Sequence, residues 1–443
     1  MSIRLVVGAT LSAALLASFI DGPAAAQPAP TRPSGPPQVA GRVLTLDEAV
    51  AIALEQQPQI TVQLFAYAAA RYRVDQAFAP LLPQLTGSVS TIKSENPSLT
   101  TLGLKGATVF RNFDQTVLAQ VALSQLLFDF GKNLAATEAA RKLQDVALEN
   151  VELQRQLISL SVKEAYTNML FAQRLIRVNE QALQRADLNL KSARGFYEVG
   201  TRPKSDVARA EVDVANAKLA VIQARNAERL ALVALNTAMA IDVDTPTTIE
   251  DNLVYEPVTL DRQAIRAEAL RQRPEYLQAK LSAQSAEALQ RQAFRNFFPD
   301  ITGSGAYGGA RQDLHELWAV TLSLSWTIFD GGGLIGRYRQ ARANYEGARA
   351  NIKATELTII QNVEQAQIAV TDAAERIQAA QTAVASAQEN FRLAQGRFDA
   401  GVGTILELTD AQLALTQAQN TETQALSDYR IALYRLDRAR GRR

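Results

Sequence analysis

The feature that most constrains this sequence is a glycine-containing turn that occurs twice, each time between two long helical patterns. The first copy occupies residues 194–207 and the second residues 395–408, so the copies lie 201 residues apart. Gly200 of the first copy corresponds to Gly401 of the second. A turn that recurs at the ends of matching helix pairs predicts an internally duplicated structure.

The duplication extends over most of the chain. Pro58 corresponds to Pro274, which lies 216 residues later, whereas Phe128 corresponds to Phe329, which lies 201 residues later. The difference of fifteen residues falls between these markers, and it predicts that the first hairpin loop is fifteen residues longer than the second. We predict a first repeat at residues 44–240, a connector at 241–257 and a second repeat at 258–440.

The N-terminal segment is typical of a secretion signal. Arg4 is followed by an apolar run at residues 5–20 and by three alanines before Gln27, which predicts a signal peptide at residues 1–26. The alternative is an N-terminal membrane anchor, but an apolar run of about sixteen residues is short for a span. Residues 27–43 are rich in proline and are predicted to form a flexible N-terminus.

Helical patterns dominate each repeat. Thr45 and Glu48 form a potential capping box for a short helix at residues 44–57, and a second helix is predicted at residues 59–78. Residues 132–196 contain no proline and predict a helix of about 95 Å. A return helix follows at residues 204–240, with apolar and small residues in steps of three and four, which is typical of a coiled-coil seam.

A strand pattern in each repeat indicates contact with lipid. Hairpins are predicted at about 84–128 and 300–329, and residues 318–328 alternate between large apolar and small polar side chains. Such alternation suits a barrel wall between lipid and an aqueous lumen. A strand of a soluble sandwich is the alternative, but four strands cannot bury such a face alone. The residues predicted to face lipid are Trp318, Val320, Leu322, Leu324, Trp326 and Ile328.

Four strands also cannot close a barrel, since about eight is the usual minimum. The chain must therefore form oligomers in which each protomer contributes four strands and four tunnel helices.

Composition excludes several other functions. Acids and bases are interspersed with a formal net charge of +1, so nucleic acid is not an expected partner. Cysteine is absent and His315 is the only histidine. We therefore expect no enzyme activity, metal site or cofactor.

In the order of its motifs along the sequence, the chain resembles the TolC-type outer-membrane efflux proteins. The resemblance rests on the duplicated layout, on FDxG junctions at residues 128–131 and 329–332, and on the turns at residues 196–200 and 397–401. It implies a homotrimer with a twelve-stranded barrel in the outer membrane and a twelve-helix periplasmic tunnel. It also implies docking onto a periplasmic adaptor and an inner-membrane pump or ABC exporter. The short helices would form a belt around the middle of the tunnel.

The resemblance further implies a gate at the narrow, periplasmic end of the tunnel. The matching residues are Glu407 and Asp410, with Asp206 as the first-repeat equivalent of Glu407. The alternative is that these are solvated acids, which are favoured near helix N-termini in any case. Some members hold this mouth shut with an arginine in the second turn, where this chain has Gly403. Arg202, in the first turn, is a potential substitute.

The same turns would meet the adaptor, although they could simply connect antiparallel helices. The residues at their tips are Gly200, Thr201, Arg202, Pro203, Gly401, Val402, Gly403 and Thr404. The favoured function is a passive exit duct of a tripartite efflux or type I secretion system. An exported periplasmic or surface coiled-coil scaffold without channel activity is the alternative.

Overall fold

The computed structural model describes residues 42–101, 107–310 and 315–443. The predicted signal peptide and almost all of the flexible N-terminus lie outside the described residues. The helices are α1 (Leu46–Gln56), α2 (Pro58–Phe78), α3 (Lys132–Glu198), α4 (Lys204–Met239), α5 (Arg262–Gln272), α6 (Pro274–Arg295), α7 (Gly333–Asp399) and α8 (Ile405–Arg440). The strands are β1 (Val43–Leu44), β2 (Gln84–Thr101), β3 (Ala107–Phe128), β4 (Thr248–Ile249), β5 (Asp300–Ala310) and β6 (His315–Ser325). None of the described helices is long and apolar enough to cross a membrane.

The order of elements confirms the predicted duplication. Each half contains a short helix, a medium helix, a β-hairpin, a long helix and a return helix. The long helices α3 and α7 contain 67 residues each, and the return helices α4 and α8 contain 36 each. At 1.5 Å per residue the long helices reach about 100 Å. The predicted helix bounds agree with the structure to within two residues.

The long helices form the core of a one-layer wall. Near the hairpins the lateral order of helices is α2–α3–α6–α7, and near the glycine turns it is α4–α3–α8–α7. The predicted seams are buried or half-buried along their whole length, as at Ala210 and Leu235 in α4 and at Leu408 and Leu436 in α8. Alanines in these seams let neighbouring helices approach closely.

The short helices pack against the middle of the wall. Thr45 caps α1 with the predicted capping box, and Ala49 and Ala53 bury their side chains against α3. In the second half, Ile265 and Ala269 of α5 pack in the same way against α7 and α8. Both clusters lie near the middle of the long helices, where the resemblance places a belt.

The connector at 241–257 contains a strand that the sequence did not predict. Thr248–Ile249 pairs in parallel with Val43–Leu44, so the connector binds the start of the first repeat. The buried Tyr166 hydroxyl lies 3.0 Å from the Leu44 carbonyl oxygen and 2.9 Å from that of Glu250, and it accepts a hydrogen bond from the Glu250 amide. Burial raises the pKa of Tyr166 to about 12, so the hydroxyl stays protonated at neutral pH.

We expect Tyr166→Phe to loosen this connector. The substitution removes the hydroxyl that donates to the half-buried Glu250 carbonyl, whereas the Leu44 carbonyl and the Glu250 amide keep their own hydrogen bond; the cost is about 1–1.5 kcal/mol. Limited proteolysis should therefore cut residues 241–257 roughly tenfold faster than in the wild type. Tyr67→Phe is the control, because the Tyr67 hydroxyl binds Gln144 and lies far from the connector. Equal cleavage rates in Tyr166→Phe and the wild type would contradict the assigned role.

The four long strands form one antiparallel sheet in the order β2-β3-β5-β6. The register places Trp318 opposite Tyr307 and Tyr307 opposite Val121, so large apolar residues share one face across the strands. Thr321, Ser304 and Ser124 are aligned on the other face. The predicted alternation in one strand is thus a property of the whole sheet.

The structure corrects two predictions about this sheet. The extra residues of the first hairpin lengthen its strands, since β2 and β3 contain 18 and 22 residues whereas β5 and β6 contain 11 each. The prediction of a loop longer by fifteen residues was therefore wrong. The last strand also ends at Ser325, because its pairing partner β5 begins at Asp300. Trp326 and Ile328 consequently lie beyond the strand.

Candidate functional site

The two glycine turns have the same backbone structure. Gly200 and Gly401 adopt φ values of +73° and +79°, a region that glycine enters without steric cost. In the first turn the Thr201 amide donates to the Phe196 carbonyl at 2.9 Å, and in the second the Val402 amide donates to the Arg397 carbonyl at 3.0 Å. Both are Schellman motifs, which satisfy the last carbonyl groups of α3 and α7.

The two return helices begin differently. Thr404 caps α8, and its hydroxyl accepts a hydrogen bond from the Glu407 amide at 3.2 Å. Pro203 occupies the same position before α4 and provides no side-chain cap. Pro203 thus directly precedes Lys204, the first residue of α4. The first turn is fixed by a different side chain.

That side chain is Arg202, which crosses from the first turn to the second. Its guanidinium donates to the Gly403 carbonyl, lies 3.8 Å from the Asp206 carboxylate and stacks 5.0 Å from the centre of the Phe398 ring. Only 15% of the Arg202 side chain is exposed. Arg202 of the first repeat is equivalent to Gly403 of the second. The donor and the acceptor of this hydrogen bond therefore occupy equivalent positions in the two repeats.

Gly403 is required for this contact. A Cβ atom at this position would lie 2.9 Å from the Phe398 amide nitrogen, so any larger residue would displace the backbone of α7. An arginine in the second turn would therefore not fit this backbone. The sequence singled out Gly403 and Arg202 as a departure from the family pattern, and the structure shows them in direct contact.

The three acidic residues of the predicted gate have different surroundings. Glu407 and Asp410 are exposed on the first turns of α8, and Glu407 lies 3.7 Å from Arg397. Asp206 begins α4, and only 14% of its side chain is exposed because it faces Arg202. Glu407 and Asp410 thus remain open to solvent, although Glu407 has an exposed ion pair with Arg397, whereas the ion pair of Asp206 is largely buried.

Two further contacts at this end were missed from the sequence. Phe398 is fully buried and packs edge-to-face against Phe196, with ring centres 5.6 Å apart. Thr409 of α8 donates to the Asp213 carboxylate of α4 at 2.8 Å. Both phenylalanines belong to the quoted turn motifs, but only the folded turns show that their rings meet. Together these contacts join the two helix pairs near their tips.

The apolar face of the sheet is the second candidate surface. Trp318 is 74% exposed and Val320 is 81% exposed, and the other residues predicted to face lipid are exposed as well. Leu85, Val89 and Leu123 extend this surface across β2 and β3. The described part of the chain therefore provides no core that covers the face. Trp326 is exposed too, and its indole donates to the Phe297 carbonyl at 3.0 Å, which ties the end of β6 to the end of α6.

Comparison with known proteins identifies the family. The family model described as outer membrane efflux protein matches residues 49–240 and 265–442. The chain belongs to the outer membrane efflux protein family. It is 27% identical over 392 residues to the outer membrane protein TolC of Escherichia coli (strain K12). The matched region covers 82% of this chain and 75% of TolC. It is 25% identical over 398 residues to the alkaline protease secretion protein AprF of Pseudomonas aeruginosa, which covers 87% of this chain and 82% of AprF.

A solved structure shows the same fold. The outer membrane protein VceC of Vibrio cholerae superposes with a TM-score of 0.75 at 22% identity and covers 89% of this chain and 96% of VceC. Because the chain belongs to the outer membrane efflux protein family, it is located in the outer membrane and serves export, as the sequence predicted. The family is one of channel proteins, which favours the exit duct over the coiled-coil scaffold.

Proposed function

We propose that three copies of this outer membrane efflux protein assemble into one export duct. The observation that carries this proposal is the open sheet order β2-β3-β5-β6, which leaves β2 and β6 as edges. Four strands are too few for closure, whereas three copies give twelve. The edge helices of neighbouring copies, α2 and α7 near the hairpins and α4 and α7 near the glycine turns, would meet in the same way and continue the barrel as a twelve-helix tunnel.

The apolar face of the sheet would contact the acyl chains of the outer membrane. Its exposed residues from Trp318 to Leu324 form a continuous row on β6, and the opposite face is small and polar. This is the distribution expected of a barrel with lipid outside and water inside. Trp326 and Ile328, which follow the strand, would lie at its periplasmic end beside the first turn of α7.

The turn tips would dock onto a periplasmic adaptor. Gly200, Thr201 and Pro203 are exposed in the first turn, and Gly401, Val402 and Thr404 are exposed in the second. Val402 is 72% exposed, which leaves an apolar side chain available at the tip. The adaptor would connect the duct to an inner-membrane pump or ABC exporter, since the chain has relatives in both efflux and secretion.

Glu407 and Asp410 would form the gate of the mouth. They lie three residues apart on α8, so both project from one side of the helix. In a trimer, three copies of each would form stacked rings of carboxylates, and such rings favour cations. Asp206 would contribute indirectly, because it holds Arg202 in the contact between the turns.

The gate is tested by removing its charge. The double variant Glu407→Ala and Asp410→Ala should show higher conductance and lower cation selectivity in planar lipid bilayers, because the carboxylate rings are lost. The matched control is Asp372→Ala with Glu375→Ala, since these residues are also exposed and three apart but lie on α7 far from the turn. If the gate variant conducts like the wild type, the gate assignment is wrong.

A further inference from the structure

Two cavities occupy equivalent places in the two repeats. The first lies where the end of α4 meets the start of α2, and the second lies where the end of α8 meets the start of α6. Their volumes are about 600 and 400 Å³. The first is lined by Gln57, Ala234 and Thr237, and the corresponding residues of the second are Arg273, Arg435 and Arg438. The second cavity therefore has three basic side chains at positions where the first cavity has three neutral ones.

The first cavity is lined by neutral side chains, and the amide group of its Gln57 donates two hydrogen bonds. Gln57 lies between α1 and α2, and its side-chain amide donates to the carbonyl oxygens of Thr237 and Ala238 at 3.3 and 3.0 Å. These carbonyls belong to the last turn of α4, so Gln57 closes the joint between two helices. The first repeat therefore shows that this joint is complete without a charged residue.

The second cavity contains an arginine whose hydrogen bonds are not complete. Arg273 is the equivalent of Gln57, and only 5% of its side chain is exposed. Its Nε and Nη2 atoms donate to the Glu275 carboxylate at 3.2 and 2.7 Å. Its Nη1 atom is buried without a hydrogen-bond partner among the described residues, and so is the Nε atom of Arg438. Both residues line the cavity.

The charges around this cavity do not balance. Arg435 is paired with Glu164 at 2.8 Å, whereas Arg273 and Arg438 share one carboxylate, with Arg438 at 3.7 Å from Glu275. Burial opposes the charged form of Glu275, but the hydrogen bonds and charge of Arg273 hold its pKa below the usual value. Among the described residues, these three cations thus face two anions. Arg273 is buried and shares Glu275 with the partly exposed Arg438, so a further anion would complete the hydrogen bonds of both guanidinium groups.

We propose that this second cavity binds a small oxyanion, such as phosphate or a carboxylate, between Arg273 and Arg438. Guanidinium groups match the oxygen spacing of phosphate and carboxylate, and the two residues with unpaired N–H groups line the same cavity. The N-terminus of α6, which begins at Pro274, adds its positive end. The side-chain amides of Asn362 and Gln365 line the same cavity and supply further donors. The anion would join the end of α8 to the start of α6.

The test is a titration of the complete detergent-solubilised assembly with inorganic phosphate in phosphate-free buffer at constant ionic strength. Phosphate should raise the melting temperature in a saturable manner, because a ligand of the folded state stabilises it. Isothermal titration calorimetry should give about one site per protomer. An acetate series asks whether a carboxylate replaces phosphate, and a chloride series measures the general effect of salt. The absence of a saturable phosphate effect would overturn the proposal.

The duplication supplies the matched variants. Arg273→Gln and Arg438→Thr install the residues that the first repeat already has at the equivalent positions. Each should weaken phosphate binding at least tenfold while the assembly remains folded. Arg392→Gln is the control, because Arg392 is exposed on α7 and pairs with Glu389 away from the cavity. Undiminished phosphate binding in both cavity variants would show that phosphate binds elsewhere and would also overturn the proposal.

Discussion

Replacing Val320 with arginine should prevent stable assembly of the protein in the outer membrane. Val320 lies in the middle of β6 on the apolar face and is 81% exposed in the protomer. Arginine on the lipid face of a barrel costs about 2–4 kcal/mol near the bilayer midplane. Three protomers would carry three such charges in one barrel, so the total cost would be about 6–12 kcal/mol. This approaches the whole stability of a typical folded domain.

The neighbouring residue provides the control for this prediction. Thr321 follows Val320 directly but belongs to the small polar face, where it lies opposite Ser304. Thr321→Arg introduces the same charge on the side proposed to face water, so it should assemble normally and change conductance instead. Heat-modifiable trimer bands in isolated outer membranes measure assembly for both variants. Normal assembly of Val320→Arg, or equal failure of both, would contradict the proposed orientation of the sheet.

Replacing Arg202 with alanine should open the mouth of the duct. The variant loses the hydrogen bond to the Gly403 carbonyl, the ion pair with Asp206 and the contact with the Phe398 ring. A hydrogen bond from a charged donor contributes about 1.5–3 kcal/mol. The balance between closed and open states should therefore shift roughly ten- to a hundredfold towards the open state. Recordings in planar bilayers should show longer and more frequent openings.

Two further variants separate the contact from the charge. Arg202→Lys keeps the positive charge but cannot reproduce the planar fork, so it should restore closure only in part. Arg209→Ala removes an exposed arginine from α4, the helix that follows the first turn, and should behave like the wild type. If Arg202→Ala keeps the gating of the wild type while Glu407→Ala changes it, then the acids act without this contact.

Much of the architecture could be predicted because it follows from periodic patterns in the sequence. The repeat of turns, prolines and seams determined the order of helices, and the alternation in β6 revealed the two faces of the sheet. The strand bounds were less accessible. Ser325 ends β6 because β5 provides no further partner, and that pairing is absent from the local sequence. The parallel pair β1–β4 was missed for the same reason, since two residues in each strand give no period.

The contacts between the two glycine turns could not be predicted from the sequence. The spacing of the turns identified Arg202 and Gly403 as equivalent residues, yet their meeting depends on how two distant helix pairs lie side by side. The charged cavity could not be predicted from the sequence either. Gln57 and Arg273 are visible as equivalents in the sequence, but the unsatisfied guanidinium becomes apparent only when Glu275 is seen to occupy two of its nitrogens.

The two open edges of the sheet have a consequence for the order of events in biogenesis. The sheet of a single protomer has two unpaired edge strands among the described residues, and a side-by-side dimer would have the same number, because each junction pairs one edge from each partner. In the proposed trimer, the number of unpaired edges falls to zero only when the third copy pairs with the first and closes the barrel. Linear intermediates therefore remain prone to adding strands from other chains. Newly exported copies would need to be kept apart, or held by a chaperone, until three are available at one place.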